Sequence, residues 1–189
     1  MKSPRTSART GAALVIWASV TLLATQTADA QRVDRPRARF GISGVGGGVV
    51  GTIHGAVGGL SPSVGLQVND SFAVYVHGQF LFGQFLPEPA EGLVGFVFSA
   101  ILFELTVADF LQIGVGPSLD FVLGCDDRLQ PVCAGSGPRF GSDARVSFLV
   151  GGSDPEHPSN LALSLDVHPT WFGGDAAIAL LAGIGYERR

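Results

Sequence analysis

Residues 72 to 83 sort by a period of two: Phe72, Val74, Val76, Gly78, Phe80 and Phe82 on one side, Ala73, Tyr75, His77, Gln79, Leu81 and Gly83 on the other. Such a period describes a strand whose two faces meet different surroundings. Eight such runs follow one another, at 39–50, 59–68, 71–84, 92–107, 110–123, 139–151, 160–171 and 175–186. Where one face is rich in large apolar and aromatic residues and the other carries charges, the fitting surroundings are lipid outside and a polar lumen inside. Each run approaches or exceeds the ~9–11 residues that a tilted strand needs to cross a hydrocarbon core. An even number of strands closes the sheet. The expected fold is all-β: an eight-stranded antiparallel up-and-down transmembrane β-barrel.

The other strong runs repeat the sorting. At 110–123, Leu111, Ile113, Val115, Pro117, Leu119, Phe121 and Leu123 are expected outward, with Gln112, Gly114, Gly116, Ser118 and Asp120 inward. At 139–151, Phe140, Ala144, Val146, Phe148 and Val150 face out while Asp143, Arg145 and Ser147 face in. At 160–171, Leu161, Leu163, Leu165, Val167 and Trp171 oppose Ala162, Ser164, Asp166, His168 and Thr170. The last run sets Ile178, Leu180, Ala182, Ile184 and Tyr186 against Ala177, Ala179, Leu181, Gly183 and Gly185. The run 92–107 is apolar on both faces as far as Glu104, which leaves its register open. The stretch 40–69 carries no Asp, Glu, Lys or Arg, and Gly47, Gly51, Gly55 and Gly59 recur every four residues, as on a close-packed membrane helix. Pro62 and the scarcity of Leu and Ile favour strands there.

Lys2, Arg5 and Arg9 precede an apolar stretch centred on 12–24, and Ala28-Asp29-Ala30 supplies the small residues of a cleavage site. Residues 1–30 read as a secretory signal peptide, 31–38 as a flexible polar arm, and 39–189 as the barrel. Removing the signal takes three of 12 basic and one of 16 acidic residues, leaving net charge −6 and no lysine. Four of the remaining arginines lie in 32–39, so the rest of the chain is acidic, which argues against a nucleic-acid partner. Export also gives the two cysteines, Cys125 and Cys133, an oxidising compartment and an expected disulfide across one loop.

Alternate links of a barrel lie on opposite sides of the membrane. With the N-terminus in the periplasm, links 69–70, 108–109 and 152–159 are periplasmic, and 51–58, 85–91, 124–138 and 172–174 are exterior. Aromatic girdles are expected near the ends: Phe40, Phe72, Phe110, Phe148 and Tyr186 on the periplasmic side, Phe82, Phe85, Phe121, Phe140, Trp171 and Phe172 on the other.

The inward polar set is His77, Glu104, Asp120, Asp143, Arg145, Asp166 and His168, expected to form a network of ion pairs that fills the lumen, with Arg145 in reach of Asp120 and Asp166. Neither a catalytic group nor a cofactor site is assigned. Gly46 to Gly51 formally match G-x-G-x-x-G, but no helix or acidic partner completes a dinucleotide site. His54, His77, His157 and His168 fall in four separate segments and suggest no metal site. A weaker enzymatic reading sets His168 with Ser164 or Thr170 and with Asp166 or Glu187, an arrangement that resembles those of lipid A-modifying outer-membrane enzymes.

The exported N-terminus, the eight alternating runs and the closing strand 177–186 together resemble the outer-membrane β-barrel superfamily of Gram-negative bacteria, especially its small porin-like and OmpA/OmpX-like members. The resemblance implies an integral outer-membrane protein with lipid and the barrel-insertion machinery as partners, a structural or interaction role through surface loops, and no catalysis. Members of that superfamily end on an aromatic residue, whereas Tyr186 is followed by Glu187, Arg188 and Arg189. A soluble, periplasmic, lipocalin-like barrel binding an apolar ligand is the alternative. It would need polar outer faces where Leu111, Ile113, Val115, Leu161, Leu163 and Leu165 stand.

Overall fold

The computed structural model of the chain describes residues 36–86, 94–107, 110–123, 137–151 and 159–188. They form eight strands: β1 (Arg37–Gly51), β2 (His54–Asn69), β3 (Phe72–Leu86), β4 (Val94–Val107), β5 (Leu111–Leu123), β6 (Arg139–Val150), β7 (Ser159–Phe172) and β8 (Asp175–Arg188). Each pairs antiparallel with its sequence neighbours, and β8 returns to β1, so the sheet closes on itself. The seam runs from Phe40↔Arg188 to Gly51↔Ala177. The expected signal peptide, most of the arm and the Cys125–Cys133 disulfide lie outside the described residues.

Closure follows from the side-chain sorting. In β3 and β5 every second residue is turned out and its neighbours in, as the alternation requires. In β7, Leu161, Leu163, Leu165 and Val167 are exposed while Ala162, Ser164, Asp166 and His168 are buried. β4 settles its own open register: Ile101, Phe103, Leu105 and Val107 face out, and Phe96, Phe98, Ala100, Leu102 and Glu104 face in. Among the described residues, the exposed charged side chains Arg37, Asp70, Asp175 and Arg188 all sit at strand ends or in a turn. The outer belt between them is apolar.

Three prolines mark where the ladder lapses. Pairing of β2 with β3 skips from Leu60↔Phe80 to Ser63↔His77, around Pro62. The β4–β5 register skips from Ala100↔Ser118 to Phe103↔Val115 around Pro117, and the β6–β7 register from Gly141↔Thr170 to Ala144↔Val167 around Pro169. A proline brings no N–H to the ladder and so opens it locally.

Two expectations change at the links. The first was placed at 51–58, but β1 and β2 remain paired as far as Val49↔Gly55, and only Thr52 and Ile53 separate the strands. Gly51, at φ +120°, and a hydrogen bond from Thr52 N to Ala176 O (3.1 Å) make that turn tight. The last link is also a short turn, Gly173 and Gly174, with Phe172 paired to Asp175. The asymmetry of the two ends is therefore carried by the link from β5 to β6. At the opposite end, Asn69 Oδ1 accepts from the N–H groups of Ser71 (2.9 Å) and Phe72 (2.8 Å), closing the β2–β3 turn.

The interior has two halves. Towards the first and last links, Val45, Val49, Ile53, Val57, Leu81, Val94, Phe96, Phe98, Phe172 and Leu181 form one apolar plug. Towards the chain termini the lumen is polar. Phe172, expected in a girdle, instead belongs to the plug, because it shares the inward parity of Thr170. Phe40, Phe110, Phe148 and Tyr186 at one end, and Phe82, Phe121, Phe140 and Trp171 towards the other, are exposed as expected.

Candidate functional site

The polar half is built in layers of inward residues drawn from several strands. Nearest the termini, Arg39 on β1 meets Glu104 on β4 twice, Nη1 to Oε1 at 2.5 Å and Nη2 to Oε2 at 3.1 Å. Its Nη2 also lies 2.9 Å from Glu187 Oε2 on β8. Tyr75 donates its hydroxyl to Glu104 Oε2 (2.8 Å), and its ring lies 4.6 Å beneath the Arg39 guanidinium. Gln112 Nε2 donates to Glu187 Oε1 (3.2 Å). One guanidinium thus holds carboxylates from two strands, and buried charge of this kind persists only when paired. Only Glu104 of this layer was in the expected network. The sequence reading begins the first strand at Arg39 and leaves Glu187 just past the last one, with no lumen role for either, yet Arg39 shares the parity of inward Ser43 and Glu187 that of inward Leu181.

In the middle layer, His77 on β3 donates from Nδ1 to Asp143 Oδ2 on β6 at 2.8 Å. Its Nε2 accepts from Arg145 Nη1 (2.7 Å) and from the Ser61 hydroxyl (2.5 Å). Because a guanidinium can only donate, Nε2 is the unprotonated nitrogen, and the tautomer is fixed. Arg145 Nε donates to Ser147 Oγ (3.0 Å) and stands 3.7 Å from Asp166 Oδ1, its cross-strand neighbour. Ser164 donates to Asp166 Oδ2 at 3.2 Å.

The last polar layer lies against the plug. His168 on β7 donates from Nε2 to Asp120 Oδ1 (3.0 Å), whose Oδ2 accepts from Thr170 (2.6 Å). Phe98 stacks on the imidazole with ring centroids 4.1 Å apart and planes 7° from parallel. Asp120 is therefore engaged by β7, while Arg145 turns to Asp166 and His77. Ser118 Oγ is 3.2 Å from His168 Nε2.

All seven sequence-predicted lumen residues, His77, Glu104, Asp120, Asp143, Arg145, Asp166 and His168, are buried inside the barrel. The hydroxyl pairings weighed for an enzyme are not the ones formed: Ser164 and Thr170 are engaged by Asp166 and Asp120, and Glu187 by Arg39. A different sequence of groups, Ser61, His77 and Asp143, has the order of nucleophile, base and orienting acid. There the base nitrogen is shared with Arg145, and Ser61 is 1% exposed. The four histidines looked scattered in sequence, yet curvature of the sheet brings His77 and His168 to the same carboxyl group, that of Asp143.

No family description and no curated protein matches the chain. Among solved structures, the fold is similar to Ail, the attachment invasion locus protein of Yersinia pestis, at 10% identity and TM-score 0.49, over 82% of this chain and 99% of that one. It is similar also to the outer membrane protein OprG of Pseudomonas aeruginosa, at 8% identity and TM-score 0.48, over 82% and 96% of the two chains. Neisserial surface protein A gives 13% identity and TM-score 0.48 over 80% and 98%. The likeness is one of fold.

Proposed function

We propose that this chain is an integral outer-membrane protein, a sealed barrel that lends the envelope structure and presents its two long links, 87–93 and 124–138, to a partner outside the cell, without catalysis. The observation that carries the reading is the reversal of side chains across the wall. Phe80, Ile101, Phe103, Val115, Leu163 and Leu165 are turned outward at mid-strand, while Arg39, Glu104, Asp120, Asp143, Arg145, Asp166 and Glu187 lie within. In water such a belt would be a contiguous apolar surface far larger than the few hundred Å² that soluble proteins expose. A lipocalin-like carrier would require the opposite arrangement. The plug and the ion pairs fill the lumen from both halves, which favours a scaffold over a pore. Lipid and the insertion machinery are the partners such a barrel requires. The N-terminal signal pattern supports export, and the end that carries both termini would face the periplasm.

Fractionation of cells expressing the full chain tests the location, and gel migration with and without boiling tests the barrel. Recovery with outer membranes and heat-modifiable migration are expected. Release into the soluble periplasm would overturn the reading.

A further inference from the structure

Among the described residues, Arg188 is the one Asp, Glu, Lys or Arg that stands at an outward position of a strand, sharing the parity of exposed Ile184 and Tyr186. Arg37, Arg139 and Asp175, the other charges near strand ends, have inward parity. The neighbouring carboxylate, Glu187, is turned inside to Arg39. Register then fixes the setting of the outward guanidinium. Arg188 lies opposite Phe40 on β1, and Tyr186 opposite Ile42. Phe40 and Tyr186 are exposed girdle rings, so Arg188 stands at the margin of the apolar belt, the depth at which lipid headgroups sit. Cations gather at this margin. Arg37 is exposed at the start of β1, Arg32 and Arg35 precede it in the sequence with Asp34 as the one acid among them, and Arg189 follows Arg188. At the opposite margin the outward residues Val50, Phe82, Leu123, Phe140 and Trp171 bring no charge.

The wall beyond Arg188 is bare where a hydrocarbon chain would run. Past Ile42 the outward residues of β1 are Gly44 and Gly46, and Gly46 lies between Gly58 on β2 and Ala182 on β8. A Cβ at Gly44, Gly46 or Gly58 would meet nothing nearer than 3.5 Å, so the barrel's own packing does not call for glycine there. From the level of Phe40 to Gly46 the strand climbs about 20 Å. At the usual tilt of a barrel strand that is a depth of ~15 Å, and half of a hydrocarbon core is about 15 Å. The bare patch therefore falls within the leaflet whose headgroups lie level with Arg188.

Building on the outer-membrane reading above, we propose that the β1–β8 seam, at the end carrying both termini, holds one anionic phospholipid of the periplasmic leaflet. Its phosphate sits on Arg188, and an acyl chain lies against Gly44, Gly46 and Gly58. Arg37 adds positive charge beside the headgroup. A guanidinium suits this task because its planar fork of N–H donors matches two phosphate oxygens at once. Charge complementarity selects the occupant: a zwitterionic lipid gains little from a cluster of arginines, whereas each cation near the surface favours an anionic one.

The test is to refold the full-length chain into detergent, add phosphatidylglycerol or phosphatidylcholine with the same acyl chains, and count lipids retained per folded barrel by native mass spectrometry. One retained phosphatidylglycerol is expected, held at least about fivefold more tightly than phosphatidylcholine. Arg188→Gln should remove most of that preference, and Gly46→Leu should weaken retention of both lipids alike. His54→Gln, at the exposed start of β2, should change neither. Heat-modifiable migration should persist in every variant. Equal retention of the two lipids by the folded barrel overturns the proposal, and so does a preference that survives Arg188→Gln. Tighter retention of lipid A than of phosphatidylglycerol, lost in Arg188→Gln, overturns it too, because this end would then lie in the outer leaflet. A wild-type chain without heat-modifiable migration would defeat the membrane reading and the site together, whereas the other failures defeat the site alone.

Discussion

At the scale of residues, the arginines of the lumen are its most exposed point of failure. Arg39→Ala would leave Glu104 and Glu187 facing each other without a cation, and removing one partner of a buried ion pair costs about 3–5 kcal/mol. Equilibrium urea unfolding in lipid vesicles should show a loss of that size. Glu187→Gln should cost less, because Glu104 still pairs with Arg39. Glycines give a sharper contrast. A Cβ on Gly116 would overlap the Ile101 carbonyl oxygen, where the ladder lapses around Pro117, whereas on Gly78 its nearest neighbour is 3.6 Å away. Gly116→Ala should therefore destabilise by ~1–3 kcal/mol or block folding, and Gly78→Ala should be close to neutral in the same assay. Most of the network could be read from parity, since His77, Asp120, Asp143, Arg145, Asp166 and His168 lie well inside clear alternations. Arg39 and Glu187 escaped because each stands where a strand passes into a charged terminus, and charge at a chain end reads as solvated. The signal was available in the lone inward Glu104, which needed a cation from some strand.

At the scale of elements, the belt predicts a gradient along a single strand. Leu165 lies near the middle of β7 and Leu161 near its end, and both face outward. Leu165→Arg should cost about 2–4 kcal/mol in vesicles and Leu161→Arg about 0–1, because the price of a charge on the lipid face falls towards the interface. Equal, small effects at both positions would point to water outside the barrel. The strands that resisted reading share one cause. In β4 the inward residues Phe96 and Phe98 belong to the plug, and Ala100 and Leu102 to a second apolar cluster with Ala73 and Tyr75, so both faces are apolar and parity carries no contrast. In β1 and β2, glycines occupy inward and outward positions alike, and Gly46 pairs with Gly58. Without side chains to sort, nothing in the sequence marked β2 as beginning at His54.

At the scale of the whole molecule, the two-part filling predicts electrical silence. Ions entering from one end meet Arg39, Glu104 and Glu187 locked together, and from the other meet Leu81, Phe96 and Phe98. Planar bilayers containing the purified protein should pass no stepwise current at moderate voltage. Phe96→Ala should leave that unchanged, since the polar layers still close the passage. The seam carries one more consequence. Phe40 pairs with Arg188, so β1 finds its second neighbour only in β8, the strand farthest from it in sequence. Until then β1 and β8 each have an open edge and a row of oily side chains, the condition in which strands aggregate. The cylinder therefore cannot close piecemeal: its wall is complete only once all eight strands have come together.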